Sequence, residues 1–156
     1  MTSLVPTLVP SLAMPPRSDH RVSTGSGSWR PLPVAPLIGP RDRSTVYGLA
    51  AVDARGRVAD HAVMRALGWR AGTPLNIKVI CGLIVVTAGD DGQVGVTNQG
   101  DVRLPAAVRY ACGIERGDRV LLAAEPAEGV LVVHPPATLD TIFGRVRAQV
   151  MAGEAA

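Results

Sequence analysis

Apolar positions along the chain follow two periods. In Leu75-Asn76-Ile77-Lys78-Val79 apolar and polar residues alternate with the two-residue period of a half-buried strand, and Val120, Leu122 and Ala124 repeat that spacing further on. Val63, Ala66 and Leu67, and again Val108, Ala111 and Cys112, fall at i, i+3, i+4, which predicts one or two helical turns with a single apolar side. Gly68 and Gly113 follow as helix stops suited to positive φ, and apolar Trp69 and Ile114 come next, placed to fold back onto a core. Gly72-Thr73 and Gly117-Asp118 then turn the chain into the alternating strand. A hairpin leads to a last strand that is apolar throughout and expected to be buried. After Pro135-Pro136, helical spacing of Leu139, Ile142, Phe143, Val146 and Val150 predicts a separate amphipathic helix over 137–152, with Thr138 as its cap.

The two halves of this pattern are one plan written twice. Gly56 matches Gly100 and Val58 matches Val102 at a spacing of 44, and Val63, Ala66, Gly68 and Gly72 match Val108, Ala111, Gly113 and Gly117 at 45. Past a hairpin two residues longer in the second copy, Gly82 matches Gly129, and Val85-Val86 match Val132-Val133. The organisation expected is a first repeat over 46–88, a linker over 89–93 and a second repeat over 94–136. Each repeat reads as strand, glycine turn, short strand, short helix, turn and hairpin. In the second, Leu104-Pro105 ends the short strand and starts the helix, since a proline at the first helical position gives up an N–H that has no partner there. Residues 1–45 differ in texture: eight of the thirteen prolines precede residue 41, beside the Ser/Gly run Ser23–Ser28, so regular ladders are excluded and a disordered, weakly basic arm is expected. Translation from Met14 rather than Met1 is compatible with it.

Composition narrows the chemistry. The 156 residues are 47% hydrophobic, enough for a core, but the aromatic residues are only Trp29, Trp69, Tyr47, Tyr110 and Phe143. The core must therefore be aliphatic, and a stacking platform for single-stranded nucleic acid is excluded. Cys81 and Cys112 lack paired ligand spacing and His20, His61 and His134 are scattered, so no metal site is expected; the cysteines read as buried free thiols in a reducing cytosol. Gly25-Ser26-Gly27 has neither the third glycine nor the following helix of a dinucleotide loop, and no nucleophile–base set or carboxylate pair stands in a recognisable context. No enzyme activity, cofactor or small-molecule substrate is expected. The apolar run Leu4–Met14 has no basic residue before it and contains Pro6 and Pro10, making a poor secretory signal, and Lys78 interrupts the best apolar stretch, Leu75–Thr87. A soluble cytoplasmic protein without membrane contact is the expectation. The net charge of +3 is unevenly spread: residues 1–45 and 46–88 each carry five basic residues against two acidic, whereas 89–136 carry four against seven. Attraction for a phosphate backbone is thus concentrated in the first half.

The run Gly100-Asp101-Val102-Arg103-Leu104-Pro105, followed by Val108-Arg109, Gly113-Ile114 and Gly117-Asp118, resembles the AbrB/MazE/SpoVT family of DNA-binding domains. The first copy, with Asp53-Ala54-Arg55-Gly56-Arg57-Val58 and Leu67-Gly68, is similar in a more diverged form. The resemblance covers residues 46 to about 136. It implies a mainly β fold with short helices: a swapped-hairpin β-barrel in which two tandem elements of one chain, or of two chains swapping copies, cover each other's apolar faces. It also implies duplex DNA as partner, contacted by arginines of the first turn and the short helix. Carried over position by position, the turn arginine is Arg57, with Asp101 in its place in the second copy and repelling phosphate, and the helix arginine pair is reduced to Met64-Arg65 and Arg109-Tyr110; Arg55 and Arg103 beside them complete the set of candidate DNA contacts with Arg57, Arg65 and Arg109. The first copy is then expected to supply most of the affinity. Each arginine has an alternative reading as an ordinary solvated side chain or a surface ion pair with a neighbour such as Asp53 or Asp60. The functional alternative is an antitoxin-like or adaptor protein, whose partner is a protein held by the C-terminal helix or the N-terminal arm.

Overall fold

The computed structural model describes residues 39–154, so the expected disordered arm lies outside the described residues as far as residue 38. From there the chain forms β1 (Val46–Ala51), β2 (Arg57–Val58), α1 (His61–Leu67), β3 (Pro74–Ile80), β4 (Leu83–Ala88), β5 (Val94–Gly95), β6 (Val102–Arg103), α2 (Ala106–Ala111), β7 (Arg119–Glu125), β8 (Val130–His134) and α3 (Pro136–Glu154). The signals that start and stop these elements are local. Asp60 caps α1 by accepting the Val63 N–H at 3.0 Å, Pro105 leads into α2 without a side-chain cap, and the glycines after both helices have positive φ.

Mainly antiparallel sheet results, with three helices. Six strands pair in the order β1-β7-β8-β4-β3-β5, and β2 and β6 form a separate two-stranded ribbon. Within each half only the hairpins β3–β4 and β7–β8 pair with themselves; β1–β7, β2–β6, β3–β5 and β4–β8 all join one half to the other. The register is two-fold. Val58 stands opposite its own counterpart Val102, and Val85 opposite its counterpart Val132. Ala50↔Val120 and Ala51↔Arg119 on one side are mirrored by Val94↔Leu75 and Gly95↔Pro74 on the other. The turn bonds obey the same rule: Gly117 N–H to Val52 carbonyl and Gly72 N–H to Val96 carbonyl, both 2.8 Å.

The closed barrel implied by the resemblance does not form. The sheet is open, with β1 and β5 at its edges, because the two-fold is incomplete. β1 covers β7 along six residues, Val46–Ala51, whereas the linker after β4 brings only Val94 and Gly95 onto β3. The register that would continue the pairing past Leu75 falls on Gln93, Gly92 and Asp91, which are spent on the return turn. Burial follows the cover: Val120, Leu122 and Ala124 of β7 are buried, while on β3 only Leu75 is, Ile77 is half-buried and Val79 is exposed.

One aliphatic core links the halves, including Val52, Val58, Val63 and Ile84 from the first and Val102, Leu104, Val120 and Leu131 from the second. Ile114 is buried and Trp69 packs partly buried against the core. Three further expectations need correction. The last strands β4 and β8 are not buried throughout but alternate buried and half-buried positions, because only one sheet face meets the core. Cys112 is buried, but Cys81 is exposed, at φ 51 in the β3–β4 turn beside Gly82. Thr138 does not cap the last helix, which begins at Pro136; its hydroxyl donates to the Gly82 carbonyl at 2.8 Å and ties the first turn of α3 to that hairpin.

Ile84 and Leu131 are counterparts from different halves, both essentially without solvent contact. Replacing either by Ala is expected to lower stability by about 2–5 kcal/mol, and each variant should melt in a single denaturant transition read by circular dichroism. Two separated transitions would show that the halves fold independently.

Candidate nucleic-acid interface

The turn Asp53-Ala54-Arg55-Gly56-Arg57 is built around one carboxylate. Asp53 Oδ1 accepts the backbone N–H groups of Arg55 and Arg57, each at 2.8 Å, and Oδ2 meets Arg57 Nε at 2.6 Å. This is the aspartate's usual turn-forming role, and in the second half the Thr97 hydroxyl takes it over, accepting the Asp101 N–H at 3.0 Å. The Arg57 backbone N–H, first, and then its guanidinium hold the Asp53 carboxyl down at about 2. Stability from this turn is therefore fully present above the ordinary carboxylate range and is lost as pH falls through about 2.

Arg57 itself is held. Its side chain is 28% exposed, its Nη1 donates to Gln99 Oε1 at 2.7 Å, and the same atom lies 3.9 Å from Asp101 Oδ2. The guanidinium is thus fixed in direction by groups from both halves. In the β2–β6 ribbon Arg57 stands opposite Arg103, whose side chain is exposed.

Arg109 reaches the same place from α2. Its Nε donates to the Leu104 carbonyl at 3.2 Å, and it lies so close over Gly56 that a Cβ there would sit 2.6 Å from Nε. Gly56 is required twice, since its φ of 75 is also in the left-handed region. Two shallow clefts share Arg103 as a common wall. One, of about 280 Å³, includes Arg55, Arg57, Asn98 and Gln99 in its lining; the other, of about 520 Å³, includes Arg109, Pro105 and Thr97.

Four of the five arginines picked out from the sequence, Arg55, Arg57, Arg103 and Arg109, therefore line one continuous surface with contributions from each half. Arg65 does not join them: it lies exposed on the last turn of α1 and lines neither cleft. Among the described residues, Arg57 is the one of the five that forms an ion pair. Thr97, Asn98 and Gln99 were not picked out from the sequence, although their alignment with Asp53, Ala54 and Arg55 places them at the matching turn. No group of three His, Cys, Asp or Glu side chains suited to a metal ion occurs among the described residues, and none of their helices is long and apolar enough to cross a membrane.

No family model matches the chain, and no curated protein matches it.

Replacing Arg57 by Ala should raise the Asp53 carboxyl only part of the way from about 2 towards its ordinary value, because the backbone N–H of residue 57 survives the substitution. A titration followed by carboxyl carbon chemical shifts reads this directly. A complete return to the ordinary value would mean that the side chain, not the turn, holds the carboxylate.

Proposed function

We propose that this chain binds duplex DNA as a small cytoplasmic transcriptional regulator built from two tandem AbrB-like elements. The observation that carries the reading is the convergence of Arg55, Arg57, Arg103 and Arg109 on adjoining clefts at the two-fold of the β2–β6 ribbon. The nearby carboxylates, Asp53 and Asp101, face Arg57, which leaves the other three guanidinium groups for a polyanion. Arginine suits the task because its planar fork can take a phosphate, or the O6/N7 edge of guanine, with two bonds. The strand pairs that join one half to the other also support the reading, since the resemblance implies two elements that cover each other's apolar faces.

In this reading Arg55, Arg103 and Arg109 attract phosphate, and Arg57, fixed between Asp53 and Gln99, presents a preset guanidinium to the groove. Arg65 adds at most a peripheral contact. Both halves supply affinity, which replaces the expectation of a dominant first copy. A protein partner taken up by α3 is the second reading, and one observation favours it: Ile142, Phe143, Val146, Val150 and Met151 are all exposed along that helix.

Fluorescence anisotropy of the full chain on a duplex, across about 50–200 mM salt, tests the proposal. Affinity should fall steeply and log-linearly with salt. The Arg55→Ala, Arg103→Ala, Arg109→Ala triple variant should flatten the slope by about 0.9 per arginine removed. Absence of binding by folded protein at the lowest salt would overturn the reading, whereas an unchanged slope in the triple variant would move the interface to another face.

A further inference from the structure

We propose that the duplex site read by each chain is directional, without dyad symmetry, and that the polarity of the β2–β6 ribbon sets its orientation. This rests on the DNA-binding reading above and specifies its substrate. The register places the internal two-fold at the Val58·Val102 pair. Immediately to one side of that pair the ribbon carries Arg57 opposite Arg103. Continued to the other side, the same register brings Ala59 against Asp101.

Every cleft arginine has lost its mate in this way. By the alignment of the halves, Arg55 corresponds to Gln99, Arg57 to Asp101, Arg103 to Ala59 and Arg109 to Met64. Met64 is not even on the surface, being buried in the core, whereas Arg109 reaches over Gly56. The backbone is polar in the same sense. Beyond Arg57·Arg103 the Leu104 N–H donates to the Gly56 carbonyl at 2.8 Å and prolongs the ribbon at the arginine end. At the opposite end the equivalent bond, from the Asp60 N–H to the Gly100 carbonyl, is absent among the described residues.

A homodimer cannot have this arrangement, because its two-fold copies every arginine onto the other half and so matches a palindrome. Here both halves lie in one chain, and each position has been free to change alone. A duplex turned end for end would set the positions that meet Arg55 and Arg103 against their counterparts Gln99 and Ala59, which carry no positive charge. The two orientations of one duplex are therefore inequivalent. Guanine-edge contacts from Arg57 or Arg103 would make that difference depend on sequence.

Selection of bound duplexes from a random-sequence pool by the full-length chain, with the number of chains per duplex measured on the winners, tests this. The sequence read per bound chain should lack dyad symmetry. On the selected duplex Arg103→Ala should lower affinity tenfold or more and erase sequence preference at one end only, with preference at the other end retained. An inverted repeat occupied by a single chain would overturn the proposal, as would loss of preference at two dyad-related positions in the variant, or equal enrichment of all sequences. Each of these outcomes leaves DNA binding intact and so separates this failure from failure of the parent reading, in which no salt-sensitive binding is seen at all.

Discussion

Neither half of the described body can bury its own strands, and the fold is the consequence. A β-hairpin alone is at best marginal in water, and β3–β4 and β7–β8 each expose an apolar face and an unpaired edge until the other half arrives. Pairing β4 with β8 joins them into one sheet, β1 crosses to the far hairpin to cover β7, and the ribbon of β2 and β6 closes the connection between the halves. The same pairing explains why the arginines of two distant turns meet. Arg57 and Gln99 are 42 residues apart in sequence and 2.7 Å apart in space, because the two-fold that joins the hairpins also sets the two turns side by side.

Features written in local sequence were legible before the structure. Gly68 and Gly113 stop the two short helices, Leu75 and Val120 begin alternating strands, and the spacing of Leu139 through Val150 marks α3. What depends on pairing between halves was not. Alternation shows which face of β3 is apolar, but how far that strand is covered is decided by the few residues linking β4 to β5. A barrel inferred from the resemblance presumes equal cover for both hairpins, and the short linker denies it to β3. The site was legible by residue type, because arginines beside glycine turns are conspicuous, but not by grouping. Arg65 and Arg109 both lie on short helices, yet they occupy neighbouring rather than equivalent positions in the repeat. Arg109 corresponds to the buried Met64 and Arg65 to the exposed Tyr110, so only one of the two arginines turns toward the ribbon.

The uncovered stretch of β3 is managed by its own side chains. An open strand edge invites pairing with another chain, and charged residues placed on it, lysine above all, oppose this. Lys78 stands in the middle of the stretch 76–80 that β5 leaves unpaired, and Asn76 is engaged by Asp91 of the linker at 2.8 Å. The lysine that interrupts the apolar run from Leu75 to Thr87 is, in the folded chain, the charge that guards the free edge.

Asp101 illustrates how symmetry and charge work against each other. As the counterpart of Arg57 it was expected to repel phosphate from the second half. In the folded chain its side chain is only 15% exposed and its carboxylate lies 3.9 Å from the Arg57 guanidinium. Arg57 and Arg103 face each other across the ribbon, and like charges directly opposite in a sheet are destabilising. An arginine at position 101, as full two-fold symmetry would require, would add a third positive charge to that pair. Asp101 instead offsets the repulsion, and together with Asp53 it holds Arg57 in one orientation. The substitution that made the surface unequal is thus the one that lets four arginines share it, and the asymmetry of the site follows from the electrostatics of folding as much as from any demand of the ligand.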